Sequence, residues 1–308
     1  MINKADIRVP LTVPQEFREH YLHNYLKATH NTGRLFLFAG DQKIEHVNKD
    51  FYGPNIPSQS AHPRHLFDIA GKSRIGVFAT HLGLIARYGA DYATIPYLVK
   101  LNGKTDLLSV QQDDPQSANL ATVEQVVAFK KRSNLSILGV GMTVYLGSAY
   151  EAAMLAAASQ AVQQAHHHGL IAVLWMYPRG KSITNPCTAD LVAGAAGVGT
   201  CLGADFVKIN APEATTGFHS AQLLQQAVAA AGNTGVICSG GPRKSVDVLL
   251  EDIYHQVHVG GALGVALGRN IHQKTVQEAM DFCKAVAAIV IDDADVTVAR
   301  HYLDQGEQ

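Results

Sequence analysis

The chain has few cysteines, few charges and a single tryptophan, and the first two shortages exclude whole classes of protein. Its 308 residues include four cysteines, none of them in a CxxC pair, and their spacing fits neither a disulfide framework nor a zinc cage. We interpret them as free thiols of a reducing compartment. Charged residues make up 17% of the chain and the net charge is −1, which provides no basic field for nucleic acid or for a membrane surface.

Long apolar runs are also missing. No run reaches the ~18 residues that a membrane-spanning helix needs. The first six residues lack the charged-then-apolar plan of a signal peptide. We therefore expect a cytoplasmic protein, and the 47% of hydrophobic residues are enough for one large core.

Short apolar runs alternate with amphipathic stretches along the chain. Each run is continuously apolar, as expected of a strand that is covered on both faces. Eight such strands separated by helices predict a closed parallel barrel, the (β/α)8 or TIM barrel fold, in a single domain. An open doubly wound sheet is the alternative, weakened because no GxGxxG follows the first strand. The predicted strands are 34–40, 75–80, 91–97, 136–142, 170–176, 205–210, 235–239 and 264–267.

Helix signals fill the intervals between the later strands. Thr122 with Gln125, and Ser148 with Glu151, each fit a capping box at the start of a helix. Further helices are predicted to begin near Cys187, His219, Ser245 and Gln273.

Three regions lie outside this alternation of strands and helices. Residues 1–32 form an N-terminal extension, with a helix-like stretch at 16–28 that either caps the bottom of the barrel or mediates oligomer contacts. Residues 33–295 form the barrel, and 296–308 a C-terminal tail. The polar segment 45–65 is too long for an ordinary connection and is a candidate active-site loop.

Reacting groups of a (β/α)8 barrel lie at the C-terminal ends of its strands, and Lys208 stands there on the sixth strand. A buried lysine with a depressed pKa is what imine chemistry requires, because only the free amine attacks a carbonyl. Three plainer alternatives remain open: an ion pair with Asp205, an ion pair with Glu213, or a side chain that extends to the rim.

Glycine-bearing turns follow the seventh and eighth strands. Turns of this kind expose backbone N–H groups at helix starts, and this is the usual phosphate site of the fold. The sequence therefore predicts an anionic, phosphorylated small molecule as substrate. The residues of this predicted site are Ser239, Gly240, Gly241, Gly268 and the charged Arg269.

Three more side chains at strand ends are candidates. Asp41 is a general base, a partner of the lysine or a turn cap. Tyr177 is a general acid/base or a rim aromatic, and Trp175 is a pocket wall or core filler. None of the histidine pairs comes with HExxH or a carboxylate triad, so the sequence predicts no metal and no cofactor.

Six segments in one order, covering about residues 30–290, resemble a known family. They are similar to segments of the archaeal-type class I fructose-bisphosphate aldolases and their DhnA/DeoC-like relatives. The segments are FAGDQKIEH (38–46), KLNGKT (100–105), WMYPRG (175–180), ADFVKI (204–209), SGGP (239–242) and ALGVALGRN (262–270).

The resemblance implies a (β/α)8 barrel, a metal-independent Schiff-base mechanism on a phosphorylated sugar, and a homo-oligomer. By motif, Lys208 corresponds to the imine-forming lysine and Tyr177 to the proton-transfer tyrosine. Trp175 corresponds to the cleft tryptophan and Asp41 to the first-strand aspartate. The glycine turns and Arg269 correspond to the phosphate site. The implied reaction is reversible cleavage of fructose 1,6-bisphosphate to dihydroxyacetone phosphate and glyceraldehyde 3-phosphate.

Several positions depart from the family pattern, all on the substrate side. Lys43 follows Asp41 by two residues where glycine is common, and we hypothesise that it grips the distal anionic group of the substrate. A solvated ion pair with Glu45 or Asp50 is the plainer alternative. The other departures are Gln42 in place of histidine, the longer loop after His46, Leu146 in place of a proline, and Asn210-Ala211.

These departures leave the reaction open on the aldehyde side. Relatives run transaldolase-like or thiolase-like steps with the same lysine. A barrel that keeps the phosphate site only as a sensor is a third possibility, and the presence of Lys208 together with Tyr177 argues against it.

Overall fold

Eight parallel strands close into a barrel in the computed structural model, which describes residues 2–107 and 114–304. Each strand pairs with the next one in the sequence, and the eighth closes on the first, so the predicted (β/α)8 fold is confirmed. The strands are β1 Leu35–Ala39, β2 Val77–His81, β3 Tyr97–Lys100, β4 Ile137–Leu146, β5 Ile171–Pro178, β6 Phe206–Ile209, β7 Gly235–Ser239 and β8 Gly264–Leu267.

Helices surround this barrel and precede or follow its strands. A short antiparallel pair, Asn102–Gly103 with Ala118–Asn119, lies after β3. The α-helices of the described residues are α1 Arg18–Ala28, α2 Gln42–Glu45, α3 Arg64–Lys72, α4 Leu82–Tyr88, α5 Val123–Ser133, α6 Glu151–His167, α7 Ala189–Cys201, α8 Ser220–Ala231, α9 Val246–His258, α10 Arg269–His272, α11 Val276–Val290 and α12 Val296–Asp304.

The two-residue period of the strands builds two apolar layers. In β1, Leu35 and Leu37 belong to the cluster inside the barrel, whereas Phe36 and Phe38 belong to the cluster between strands and helices. Because both faces of each strand are covered, all five residues of β1 are buried. The same alternation decides which side chains at the strand ends point inward.

The N-terminal segment closes the bottom of the barrel, as one of the two sequence alternatives proposed. Tyr21 on α1 joins the cluster inside the barrel, and its hydroxyl donates to Asp205 Oδ1 at 2.5 Å. Asn24 Nδ2 donates to the carbonyl of Gly169 at 2.7 Å, just before β5. Both contacts lie at the N-terminal ends of strands, so this face is occupied and the opposite face stays open.

The predicted third strand, 91–97, is wrong. Residues Gly89–Tyr92 form a 3₁₀ turn, and the strand runs over Tyr97–Lys100 instead. Pro96 has no N–H for a sheet ladder, and its carbonyl instead accepts from Phe78 N at 2.8 Å just before the strand begins. The shift moves Lys100 from beyond the strand into its last position.

One of the two predicted capping boxes is also wrong. Thr122 accepts from Gln125 N at the start of α5, as predicted. In contrast, α6 begins at Glu151 after Tyr150, and the Ser148 hydroxyl donates to the carbonyl of Pro115 at 2.7 Å.

The C-terminal segment packs onto the barrel as far as it is described. Val296 and Ala299 of α12 are buried in the main core, and Arg300 pairs with Asp247 on α9 at 2.9 Å. The last four residues, 305–308, lie outside the described part. None of the helices in residues 2–107 and 114–304 has the length and apolar character that crossing a membrane requires.

The contact between Tyr21 and Asp205 at the bottom of the barrel should contribute to the stability of the fold. Tyr21→Phe removes the hydroxyl that donates to Asp205, and we expect it to lower the free energy of unfolding by about 1–3 kcal/mol. Tyr25→Phe is the matched control, since the Tyr25 ring keeps its stacking on Phe206, and its change should stay within about 0.5 kcal/mol. Urea denaturation measures both, and equal losses would contradict a closure held by the Tyr21 hydroxyl.

Candidate active site

A pocket opens at the C-terminal ends of the strands. Its empty space is about 720 Å³, a volume that includes open solvent at the mouth. All of the site residues named from the sequence except Lys43 lie along its walls. They are Asp41, Trp175, Tyr177, Lys208, Ser239, Gly240, Gly241, Gly268 and Arg269.

The strand alternation brings the reactive side chains into one layer. Ala39, Leu98 and Phe206 belong to the cluster inside the barrel. Two residues further along their strands or just past them stand Asp41, Lys100 and Lys208, respectively, which therefore point inward as well. A carboxylate and two amines thus lie directly above the apolar cluster inside the barrel.

Lys208 is a buried amine, 6% exposed. Its Nζ lies 5.1 Å from the ring centroid of Trp175, which is paired with it in the neighbouring strand. Burial lowers the pKa of Lys208 to about 8, the nearby Lys100 charge acts in the same direction, and Asp41 opposes both. About one molecule in ten then carries the free amine at pH 7.

The three plainer alternatives for Lys208 do not hold in the structure. Asp205 lies at the other end of β6, where it accepts from Tyr21 and from Ala172 N. Glu213 accepts from Asn185 at 2.9 Å. The side chain of Lys208 does not extend to the rim, since it is buried above Trp175.

A second lysine stands beside the first. Lys100 Nζ lies 3.3 Å from Asp41 Oδ2 and 3.6 Å from Glu45 Oε1, and its side chain is fully buried. Burial alone would raise the pKa of Asp41, but the charges of Lys100 and Lys208 bring it below its ordinary value. Asp41 is therefore an anion in the neutral pH range.

Sequence reasoning did not assign Lys100 or Glu45 to the site. The signal for Lys100 was its two-residue spacing from Leu98, which the misplaced third strand hid. Glu45 stands four residues after Asp41, so the two carboxylates lie on one face of the single turn α2. The sequence analysis predicted no helix at this position, and it therefore gave no reason to place Glu45 beside Asp41.

Two tyrosines form one wall. Tyr145 on β4 and Tyr177 on β5 are partners in the strand register, and both line the pocket. Burial raises the pKa of each phenol, and the charges of Asp41 and Glu45 raise that of Tyr177 further, so both stay protonated. The Arg179 guanidinium lies 5.8 Å from the Tyr177 ring and 5.9 Å from the Tyr145 ring. Tyr145 and Arg179 were not assigned roles from the sequence.

The glycine turns form the opposite wall. Gly241 has a φ of +65°, a conformation that favours glycine, and its missing side chain leaves open space. A Cβ on Gly268 would come within 2.1 Å of Gln42 Oε1, so a glycine is needed for Gln42 to lie against this turn. Both glycine turns and Arg269 therefore line the pocket.

The segment 45–65 supports Arg269. Asp50 Oδ2 lies 3.7 Å from Arg269 Nε and also bonds His46 Nδ1. The ring of Phe51 stacks on that of His272 with centroids 4.4 Å apart, and Ser60 Oγ donates to the His272 carbonyl at 2.8 Å. The long loop is thus packed against the turn that carries the arginine.

Lys43 lies outside the pocket. Its Nζ donates to the carbonyl of Ala61 at 2.9 Å and stands 4.1 Å from the ring centroid of Phe51. The suggested ion pairs are absent among the described residues, because Glu45 faces Lys100 and Asp50 faces His46 and Arg269. Neither sequence hypothesis for Lys43 fits this placement.

The part of the chain that the structure describes contains no group of three or more histidine, cysteine, aspartate or glutamate side chains that could hold a metal ion.

Comparison with known proteins gives a consistent result. The model of the DeoC/LacD family aldolases matches residues 35–274. A Methanocaldococcus jannaschii protein named fructose-bisphosphate aldolase/6-deoxy-5-ketofructose 1-phosphate synthase is 51% identical over 291 residues, with 94% of this chain and 92% of that protein covered. A class 1 fructose-bisphosphate aldolase of Thermoproteus tenax is 32% identical, with 86% of this chain and 93% of that protein covered.

Solved structures of aldolases are also similar to this chain. A fructose-bisphosphate aldolase from Slackia heliotrinireducens has a TM-score of 0.96 and 49% identity, with 100% of this chain and 96% of that chain covered. An archaeal fructose-1,6-bisphosphate aldolase, whose catalytic lysine is described as covalently bound to the carbinolamine intermediate of the substrate, has a TM-score of 0.73 and 28% identity. The match covers 89% of this chain and 99% of that chain.

The single tryptophan makes the charge of Lys208 measurable. An ammonium 5.1 Å from the Trp175 ring should perturb its emission, and that charge is lost as the pH rises through about 8. We expect a fluorescence transition with a midpoint near pH 8. Lys208→Met should abolish it, while Lys43→Met, a control outside the pocket, should keep it. A transition that survives in Lys208→Met would contradict the assignment.

Proposed function

The chain belongs to the DeoC/LacD family of aldolases, and we propose that it is a class I aldolase that reversibly cleaves a ketose phosphate through an imine on Lys208. The observation that carries this proposal is the buried amine of Lys208, which burial keeps partly uncharged beside the anion of Asp41. A free amine in a dry pocket is the nucleophile that imine formation requires.

The first stage joins substrate and enzyme. The free amine of Lys208 attacks C2 of the ketose phosphate and gives a carbinolamine. The phenol of Tyr177 then protonates the carbinolamine hydroxyl, which leaves as water. The products are a protonated imine, whose positive charge Asp41 and Glu45 stabilise, and a transient phenolate on Tyr177. This cation is the electron sink for the next step, so no metal or cofactor takes part in the proposed reaction.

The second stage breaks the C3–C4 bond. Electrons of that bond move into the iminium to form an enamine, while the proton of the C4 hydroxyl passes to the Tyr177 phenolate that the loss of water left behind, and the aldehyde is released. In the reverse direction the protonated phenol returns this proton to the forming alkoxide. Protonation of the enamine at C3 and hydrolysis of the imine release dihydroxyacetone phosphate and restore the amine.

The phosphate next to the ketone binds at the glycine turns. Backbone amides at Gly241 and Gly268 bind it, and Arg269 supplies a charge-assisted hydrogen bond. Gly240 lets the turn approach closely, since its own N–H donates to the Ala266 carbonyl at 3.2 Å. Asp50 holds the guanidinium from behind at 3.7 Å. This assignment is supported by the fact that these residues line the same pocket as Lys208.

Fructose 1,6-bisphosphate is the substrate that the named relatives favour. Its second phosphate would lie at the far end of the pocket, where Lys104 and Arg179 contribute cations. Lys104 is bonded to Asp106 there, and Arg179 is exposed at the mouth.

A second reaction is favoured by the name of the M. jannaschii relative. Disconnecting a 6-deoxy-5-ketofructose 1-phosphate at C3–C4 gives dihydroxyacetone phosphate and a three-carbon 2-oxoaldehyde without phosphate. The far end of the pocket suits such an uncharged partner too, because Asp106 already neutralises Lys104 there. We propose that Lys208 serves both reactions and that they differ only in the aldehyde.

The cellular setting follows from the same proposal. The four cysteines are free, and burial raises the pKa of Cys238 and of Cys283 to about 12, which suits a reducing compartment. We propose a cytoplasmic homo-oligomer of sugar-phosphate metabolism, the oligomer by analogy with the family.

A substrate panel tests the proposed function. In EDTA, the protein should cleave fructose 1,6-bisphosphate and should condense dihydroxyacetone phosphate with glyceraldehyde 3-phosphate and with 2-oxopropanal. Lys208→Met should lower kcat/KM for every one of these reactions by more than about a thousandfold, because the covalent step is lost. Product analysis by mass spectrometry measures them all.

Two outcomes would contradict the proposal. Activity that disappears with EDTA would point to a metal-dependent reaction. Activity that Lys208→Met retains would remove the imine from the mechanism. A large preference for one of the two aldehydes would choose between the two candidate reactions without affecting either conclusion.

The phosphate assignment is tested at Arg269. Arg269→Ala should weaken catalysis on phosphorylated ketoses by about 1.5–3 kcal/mol, the strength of a charge-assisted bond, or roughly 10- to 150-fold in kcat/KM. Unphosphorylated dihydroxyacetone should lose far less. Lys43→Ala is the matched cation outside the pocket and should leave the ratio of the two substrates unchanged. Equal losses for both substrates in Arg269→Ala would make the arginine purely structural.

A further inference from the structure

The side chain of Gln42 lies against the glycine turn that follows β8. Gln42 belongs to α2, just after β1, and it lines the same pocket as Lys208. Its contact with Gly268 is close, since a Cβ on this glycine would come within 2.1 Å of Gln42 Oε1 and 2.7 Å of Gln42 Nε2. The imine mechanism gives Gln42 no part, and yet its amide stands beside the turn at which the phosphate is placed.

His272 sets the orientation of this amide. His272 Nε2 lies 3.0 Å from Gln42 Oε1. Burial lowers the pKa of His272 to about 3, so the ring is neutral at pH 7 and carries one proton. His272 Nδ1 is buried and has no hydrogen-bond partner in the described part of the chain. Because a buried N–H without an acceptor is rare in native proteins, the proton lies on Nε2, which donates to Gln42 Oε1.

The ring of His272 is held in place by the segment 45–65. The ring is fully buried, and the ring of Phe51 stacks on it with centroids 4.4 Å apart and an interplanar angle of 11°. Ser60 Oγ and His65 Nε2 lie 2.8 Å and 3.2 Å from the main-chain carbonyl of His272. A ring held in this way keeps the amide oxygen of Gln42 turned toward it, and the NH₂ group of Gln42 is left for the pocket.

The cation of the phosphate site shares its charge with a carboxylate. Arg269 Nε is buried without a hydrogen bond to any described residue, and Asp50 Oδ2 lies 3.7 Å from it. Burial alone would raise the pKa of Asp50, but its hydrogen bond to His46 and the charge of Arg269 bring it below its ordinary value. Arg269 and the Asp50 anion therefore offset each other in part. A phosphate at this site needs N–H groups aimed at its oxygens as well as a charge.

We propose that Gln42 is a phosphate ligand, whose amide N–H donates to the phosphate next to the ketone, and that His272 is a positioning residue, which keeps this amide turned toward the pocket. The inference deepens the proposed function and rests on its phosphate site at the glycine turns. Gln42 touches the substrate, whereas His272 acts only through Gln42.

Glycerol 3-phosphate is the probe for the ligand role of Gln42, because it carries the phosphate on three carbons but has no ketone and forms no imine. Gln42→Met should raise its Kd roughly 10- to 150-fold, since a hydrogen bond to a charged group is lost. Gln42→Glu keeps an acceptor for His272 but places an anion beside the phosphate, so its Kd should rise further. Titration followed by ³¹P nuclear magnetic resonance measures such weak binding.

A double variant tests the positioning role of His272. His272→Phe keeps a ring on Phe51 but removes the N–H that holds the amide, and it should raise the Kd by about 2- to 10-fold. Combined with Gln42→Met it should cause no further loss, because His272 acts through that amide. Ser60→Ala is the matched control. It removes a hydrogen bond to the main chain of His272 but leaves the ring in place, and its Kd should not change.

Two results would overturn the proposal. An unchanged Kd in Gln42→Met and Gln42→Glu would remove Gln42 from the phosphate site. Losses that add in the double variant would make the role of His272 purely structural. Should His272→Phe fail to fold, the two Gln42 variants decide alone. Because glycerol 3-phosphate forms no imine, either failure would leave the proposed chemistry of Lys208 untouched, and borohydride trapping tests that chemistry separately.

Discussion

A lysine inside a barrel cannot remain both charged and dry without a partner, and this constraint organises the site. Strand geometry points the side chains of Lys100 and Lys208 inward above an apolar layer. One of them lies within ion-pair distance of two carboxylates. The other is left with little compensation, and burial brings its pKa to about 8. The division of roles between two identical residues follows from which one the carboxylates reach.

The surrounding structure maintains that division. The indole of Trp175 underlies both amines, and Gly141 provides the space for it. The single turn α2 carries Glu45 toward Lys100 directly after Asp41. At the bottom of the barrel, Tyr21 closes the face that the site does not use. The result is one open end, where a ketone meets an amine and its phosphate meets the glycine turns.

The sequence predicted the barrel because each strand is continuously apolar and each helix interval is regular. It also predicted Lys208, since a charge at the end of a buried strand is conspicuous. Lys100 was missed for a local reason: the segment before Pro96, which contains the 3₁₀ turn Gly89–Tyr92, resembles a strand in composition, and the predicted strand was displaced by several residues. Lys43 was assigned to the substrate because its neighbours in sequence are in the pocket, but α2 turns it to its opposite face, against Phe51. Contacts of this kind depend on helix phase, which four residues of sequence do not define.

In the proposed mechanism the amine of Lys208, and not that of Lys100, bonds to the substrate. Reduction with borohydride in the presence of dihydroxyacetone phosphate, followed by peptide mass spectrometry, locates the bond directly. We predict a single adduct on the peptide that contains Lys208, with the peptide of Lys100 unmodified. An adduct on Lys100, or no adduct on either lysine while cleavage activity persists, would contradict it.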